Sequence, residues 1–130
     1  MKRMLATLIA LGLASTAQAG DWTTTYGTMT LPDTPGDLRI FADYSVDSGR
    51  IIGRMEIDGG EPVIMGAWVE GSSGAPCPTS MDGSQAWGTV RLEFNADYTA
   101  FNGNWGYCDG PMNKSWTGTL GASRGAFQDR

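Results

Sequence analysis

Apolar and polar residues alternate along most of the chain, as they do in β-strands that bury one face. In the stretch 37–46, for example, every second residue from Leu38 to Val46 is apolar. Gly, Asp, Asn and Ser interrupt such runs at short intervals, and no long window has a helical period of 3.6 residues. The pattern predicts no helix and seven strands, at 22–31, 37–46, 50–57, 62–70, 86–94, 98–107 and 114–121.

One short pattern recurs in four of these strands: an apolar residue, a spacer, a glycine, a spacer and a large apolar residue. The copies are Ile51–Met55, Ile64–Trp68, Phe101–Trp105 and Trp116–Leu120. A spacing of two places the key residues of each copy on one face of a strand. Glycine weakens a strand interior, so its repetition indicates that it makes room for a neighbouring ring or relieves a tight bend in a closing sheet.

Short connections, such as Asp58-Gly59-Gly60, indicate that consecutive strands pair as an antiparallel meander. A meander closes into an up-and-down barrel, but an all-antiparallel closure needs an even number of strands. Either the irregular stretch 71–85 hides an eighth strand, or the first strand is broken at Gly27. We therefore predict an all-β fold, a closed up-and-down barrel of seven to eight strands. An open β-sandwich is the alternative.

The N-terminal nineteen residues have the features of a secretory signal peptide. Lys2 and Arg3 precede a short apolar run, and Ala17-Gln18-Ala19 is a small-residue cleavage site. The run is too short to span a bilayer, so we expect no stable membrane anchor. We expect cleavage after Ala19 and a periplasmic or extracellular protein, with the barrel at 20–121 and a frayed tail at 122–130.

The two cysteines, Cys77 and Cys108, form an even pair in a small exported domain. Such a pair predicts a structural disulfide, which would anchor the 71–85 stretch. The chain has no Cys-x-x-Cys motif and no histidine. Neither a redox pair nor a metal site is therefore expected.

Charge and composition bear on the class of function. Without Lys2 and Arg3, seven basic residues face fourteen acidic ones, a net charge of −7. This surface repels phosphate, which argues against nucleic acid and anionic lipid as partners. The absence of histidine excludes Ser–His and Cys–His catalysis. A carboxylate pair, such as Glu70 with Glu93 or Asp109, remains conceivable, but the spacing favours no pair, so we expect no enzyme and no cofactor.

Aromatic residues of the later strands are the candidates for ligand binding, because rings at a barrel mouth can stack on a ligand. Glu70 could accept a hydrogen bond from an indole N–H, and Arg91 could bind an anion if a pocket opens on its side of the sheet. The predicted ligand-binding residues are Trp68, Glu70, Trp87, Arg91, Trp105, Tyr107 and Trp116.

The strand at 62–70 is apolar on both faces, although one face of an antiparallel barrel normally meets water. Its second face, with part of the neighbouring strand, forms a candidate interface patch of Ile52, Val63, Met65 and Val69. Either the 71–85 loop or the tail covers this patch, or it forms a homodimer or docks on another protein.

The Gly66-Ala67-Trp68 and Gly103-Asn104-Trp105 motifs within a meander resemble the avidin and lipocalin group of small secreted ligand-binding barrels. Lipocalins carry Gly-x-Trp near the start of the chain, whereas both copies lie later here. None of the biotin-contacting residues of avidin maps onto this chain. The resemblance implies a barrel and a ligand-holding role.

Three functional hypotheses follow. The first is a non-enzymatic binding or interaction module of the cell envelope, which holds a small molecule or a protein partner through its aromatic residues. The second is a secreted inhibitor of a hydrolase such as a protease, with Gly20-Asp21-Trp22 or the 71–85 loop as the plug. The third is a carboxylate-based hydrolase.

Overall fold

Eight antiparallel strands follow one another round a closed barrel in the computed structural model, which describes residues 20–121. The predicted signal peptide and tail lie outside the described residues. The barrel prediction is confirmed and the sandwich alternative is wrong. The strands are β1 (Gly20–Thr24), β2 (Gly27–Leu31), β3 (Leu38–Tyr44), β4 (Gly49–Asp58), β5 (Glu61–Val69), β6 (Trp87–Phe94), β7 (Ala100–Trp105) and β8 (Lys114–Leu120).

The eighth strand comes from a break in the first predicted strand. A two-residue turn at 25–26 separates β1 from β2, and Gly27 at the start of β2 has a φ of 92°, which suits glycine. The break lets β1 pair with β2 on one side and with β8 on the other, where Trp22 lies opposite Leu120. The 71–85 stretch hides no regular strand, only an isolated bridge between Met81 and Ser84.

Two strand boundaries differ from the prediction in a way that shapes one end of the barrel. β3 ends at Tyr44, and Val46 begins a 3₁₀ turn, Val46–Ser48, instead of continuing the strand. β7 ends at Trp105, so Tyr107 lies beyond the sheet. Within residues 20–121, no helix has the length and apolar character needed to cross a membrane.

The repeated glycines allow close packing, though not always against a ring. Gly53 and Gly66 lie opposite each other in β4 and β5, where a Cβ on either would overlap the backbone of the partner strand. A Cβ on Gly118 would overlap the ring of Phe101, as the sequence predicts. At Gly103 the neighbours are the Leu92 side chain and the Arg91 carbonyl, so the expectation of a ring there is wrong.

Buried side chains form one continuous core inside the barrel. Aromatic rings around Trp22 close one end of the barrel. The Trp22 ring packs against Phe94, Tyr98 and Phe101 with centroids 5.3–5.7 Å apart. Trp22 is only 1% exposed, so its side chain does not project from the barrel. Its indole N–H is the one buried side-chain donor without a hydrogen-bond partner among residues 20–121.

The predicted disulfide between Cys77 and Cys108 is present, and it ties the 71–85 stretch to the segment after β7. This stretch lies against the outside of the barrel, where Val69, Cys77 and Trp87 form a second, small core. The Trp87 indole N–H donates to the Thr79 carbonyl, 2.8 Å away. The long loop is thus folded onto the barrel wall.

Candidate ligand-binding cavity

A half-open cavity of about 270 Å³ lies at the barrel end opposite the Trp22 cluster. Its floor is formed by Trp68 and Trp116, which are 3% and 2% exposed, and its rim by Trp105 and Tyr107. The complete lining is Tyr26, Val46, Trp68, Glu70, Ser72, Ser73, Gly74, Trp105, Tyr107 and Trp116.

The aromatic side chains of the cavity stand at right angles to their neighbours. Trp105 is the central ring, and its plane is turned by 85° from Tyr26, 87° from Trp68 and 77° from Tyr107. The centroids of these pairs are 5.2–5.6 Å apart, the edge-to-face geometry that aromatic pairs prefer. Rings in this arrangement form the walls of a box instead of a stack, and the many contacts fix their orientation.

Protein acceptors bind all three indole N–H groups of the cavity. Trp68 donates to the carbonyl of Gly106 at 3.0 Å. Trp105 donates to the Tyr26 hydroxyl at 3.2 Å, and Trp116 to the Thr24 hydroxyl at 3.1 Å. These bonds hold the rings in place. Because the N–H groups are engaged, the indoles can contact a ligand only through their ring surfaces.

Glu70 follows the last residue of β5 and brings a carboxylate into this aromatic surrounding. It accepts a 2.6 Å hydrogen bond from the Tyr44 hydroxyl. Burial raises the pKa of the Glu70 carboxyl above its ordinary value, and the nearby Asp47 raises it further, while the Tyr44 hydrogen bond acts in the opposite direction. Burial, together with the hydrogen bond to Glu70, also raises the pKa of Tyr44, which stays a neutral donor. No lysine or arginine belongs to the part of the cavity lining that the structure describes.

The loop wall of the cavity, Ser72–Gly74, is held by Asp47 in the turn after β3. The Ser72 backbone N–H and hydroxyl both donate to one Asp47 carboxylate oxygen, at 2.8 and 2.9 Å. The Gly71 N–H donates to the Asp47 carbonyl at 3.2 Å. The Asp47 carboxylate is therefore engaged by the loop, and Glu70 is the charged group that faces the cavity.

Lys114 lies at the rim, directly opposite Trp105 in the ladder between β7 and β8. Its ammonium nitrogen is 5.9 Å from the centroid of the Trp105 ring and 5.7 Å from that of Tyr107. These distances lie within the roughly 6 Å range of cation–π attraction. The rim rings thus already hold one ammonium group of the chain itself.

Five of the seven predicted ligand-binding residues line this one cavity: Trp68, Glu70, Trp105, Tyr107 and Trp116. The structure does not bring Trp87 and Arg91 to it. Trp87 packs under the long loop outside the barrel, and Arg91 pairs on the outer face with Glu93 at 2.8 Å.

Tyr26, Val46 and the Ser72–Gly74 wall were not singled out from the sequence. A signal existed for Tyr26, which continues the alternation of Trp22 and Thr24. Val46 likewise ends the apolar alternation that begins at Leu38, whereas the Ser72–Gly74 wall lies in an irregular stretch that carries no periodicity.

The candidate carboxylate pairs are not assembled. Glu93 lies on the outer face beside Arg91, away from Glu70. Asp109 lies in the exposed connection between β7 and β8 and is not part of the cavity lining. Residues 20–121 also contain no cluster of three or more acidic or cysteine side chains that could hold a metal ion.

The candidate interface patch is largely covered. Val69 is fully buried and Ile52 packs against the second core, so the long loop covers this half of the patch. Val63 is 8% exposed, and Met65 remains open at 49%. The covering loop was one of the two predicted explanations, and the tail lies outside the described residues.

Comparison of the chain with protein-family models, with curated proteins and with solved structures finds no match. The likeness to avidins and lipocalins therefore stays a resemblance of motif and barrel architecture.

Proposed function

We propose that this barrel is an exported, non-enzymatic binding protein that holds a small organic ligand in the cavity at its open end. The observation that carries the proposal is the convergence of five aromatic side chains and one carboxylate on a single half-open space. Binding sites are typically concave and mainly apolar, with a few placed polar groups. The cavity volume of about 270 Å³ suits a ligand of few heavy atoms.

The disulfide supports the exported location in this proposal. A disulfide between Cys77 and Cys108 persists in oxidising compartments such as the periplasm or the extracellular space. Together with the signal-like N-terminus, it supports a ligand drawn from the small molecules found outside the cytoplasm.

The inhibitor hypothesis has weaker support, because part of each proposed plug is anchored to the barrel. Trp22 is buried in the closed end of the barrel. The 71–85 loop is fastened by the disulfide and packs against the barrel wall.

Ligand titrations that follow tryptophan fluorescence, confirmed by calorimetry, test the proposal. A panel should contain small organic cations, organic anions, sugars and neutral aromatics. We expect at least one class to bind, and Trp105→Phe to weaken that binding. Trp87→Phe is the matched control, because Trp87 lies outside the cavity, and it should bind as the parent does. Absence of binding across the panel, or binding that Trp105→Phe leaves unchanged, would overturn the proposal.

A further inference from the structure

The polar atoms of the cavity disfavour an anionic ligand. The indole N–H groups are engaged internally, and Ser72 donates its hydroxyl to Asp47. The side-chain donors that remain in the lining are neutral hydroxyls, such as that of Ser73, whose oxygen accepts from the Ala75 N–H. An anionic ligand would therefore meet a carboxylate without a compensating cation among the described lining residues.

The aromatic walls of the cavity also favour a positively charged ligand. Ring faces carry partial negative charge and attract ammonium groups, and aromatic cages are the common device for binding them. Lys114 demonstrates this attraction within the chain, since its ammonium group lies over both rim rings. The interior rings, Trp68 and Trp116, lie deeper, where desolvation strengthens such an interaction.

From these contacts we infer that the ligand is a small organic cation, with its ammonium head group enclosed by the aromatic box and paired with Glu70. The inference rests on the proposed function and names the ligand class for the same cavity. Between Gly20 and Gly121 the chain has thirteen acidic residues and five basic ones, so its overall field also draws cations toward it.

Glu70 and Lys114 should act on the affinity in opposite directions. The Glu70 carboxylate attracts the head group, so Glu70→Gln should weaken binding of a cation. The Lys114 ammonium repels it and occupies the rim rings, so Lys114→Met should strengthen binding. A ligand of the opposite charge would reverse both signs, which makes the pair of variants diagnostic.

The experiment uses choline and its neutral isostere 3,3-dimethyl-1-butanol as probes, titrated by calorimetry into the exported form of the full chain. We expect the parent protein to bind choline at least about tenfold more tightly than the isostere. Glu70→Gln should reduce the choline affinity about five- to tenfold, and Lys114→Met should raise it by a few fold. Glu93→Gln, on the outer face, is the matched control and should leave it unchanged.

A pH series on the parent protein supplies a readout that needs no variant. Cation binding favours ionised Glu70, so choline affinity should increase as the pH rises from about 4.5 through the raised pKa of Glu70. The affinity of the neutral isostere should not increase over the same range.

The outcomes separate the two levels of the argument. Equal binding of choline and its isostere, an affinity unaffected by Glu70→Gln, or stronger binding in that variant would overturn the cation assignment. If a sugar or an anion binds in the cavity while choline does not, the cation assignment fails and the proposed function stands. If no ligand of any class binds, both fail.

Discussion

Glu70 is the residue on which the chemistry of the cavity depends. Its carboxyl group lies among rings, with a tyrosine hydroxyl as its hydrogen-bond donor at 2.6 Å and no lysine or arginine among the described lining residues. A carboxylate in such a place loses hydration that one hydroxyl cannot fully replace. The folded protein therefore holds a proton on Glu70 more tightly than the unfolded chain does.

This shift predicts how stability depends on pH. Because folding raises the pKa of Glu70 above 4.5, protonated Glu70 favours the fold below that pH, and this contribution is lost as the pH rises through the folded-state pKa. The free energy of unfolding of the parent should thus decrease over this range relative to that of Glu70→Gln. Urea denaturation at several pH values measures both. A difference between the two proteins that stays constant with pH would contradict the assigned shift.

Gly103 gives a second prediction at the residue scale. A Cβ there would lie 2.7 Å from the Arg91 carbonyl oxygen and would overlap the Leu92 side chain. Gly103→Val should therefore destabilise the barrel by about 1–3 kcal/mol, although valine is the better strand residue.

Thermal and urea melts of the variant measure this loss. Asn102→Val, one position away on the outer face, is the control and should be neutral or slightly stabilising. An unchanged or higher melting temperature for Gly103→Val would mean that the glycine is not a packing device.

The sequence predicted the rings of the cavity but did not separate them fully from those outside it. Strand alternation puts Trp87, Arg91 and Glu93 on one face of β6, opposite Val90 and Leu92. That parity places Trp87 and Arg91 outside once the apolar face is taken as the core. Trp87 nevertheless looks like a ligand-binding residue in sequence, because the loop that buries it has no periodic signal.

At the scale of elements, the connection between β5 and β6 has two roles. It covers the outer face of the barrel at Val69 and Trp87, and through Ser72–Gly74 it supplies one wall of the cavity. The Asp47 hydrogen bonds hold this loop near its start, at Ser72, and the disulfide holds it near its middle, at Cys77. The irregular path of the loop is thus fixed by the disulfide and by the Asp47 hydrogen bonds.

Removal of the disulfide should therefore affect stability and binding together. The bond links residues separated by 31 positions, for which the chain-entropy model gives roughly 3–4 kcal/mol. The Cys77→Ala/Cys108→Ala variant should unfold at a correspondingly lower urea concentration and bind ligand more weakly, because the Ser72–Gly74 wall loosens.

The parent protein treated with a reductant is the control, and it should show the same loss of stability. Two reactive thiols in the denatured, unreduced parent would instead show that the disulfide does not form. A variant as stable as the parent would show that the disulfide does not anchor the loop.

Strand positions were largely predictable, whereas strand ends were not. The alternation in 37–46 continues to Val46, yet β3 stops at Tyr44 because the chain enters a tight turn in which Asp47 has a φ of 51°. In the same way, the threonine-rich first segment favours strand throughout, and Gly27 alone marked the break. Turn geometry overrides local preference at both places, and both places border the cavity.

At the scale of the whole molecule, the barrel divides its aromatic residues between two ends. Trp22, Phe94, Tyr98 and Phe101 close one end by packing on each other. At the other end, the rings line the candidate ligand-binding cavity. Closure of the sheet makes this division possible, because all eight strands pair on both sides and need no other layer for support.

The closing seam leads to the last prediction, a circular permutation. The Gly121 N–H donates to the Asp21 carbonyl at 2.9 Å. The first residues of β1 and the residue that follows β8 therefore lie side by side. A short Gly/Ser linker from Gly121 to Gly20 should join them without strain, and new ends can be opened between Gly59 and Gly60. A Cβ at either of these two glycines would meet nothing within 4 Å, so the turn they form is free of packing contacts.

This permutant should fold to the same barrel, because every strand keeps both of its neighbours and only an exposed turn is cut. Its near-ultraviolet circular dichroism and its melting temperature should be close to those of the parent. The control permutant, opened between Gly66 and Ala67 inside β5, cuts a strand paired with β4 and β6 and should not fold. Loss of tertiary structure in the Gly59/Gly60 permutant would mean that β1 and β8 do not form a continuous seam, and it would remove the closed barrel on which the geometry of the cavity depends.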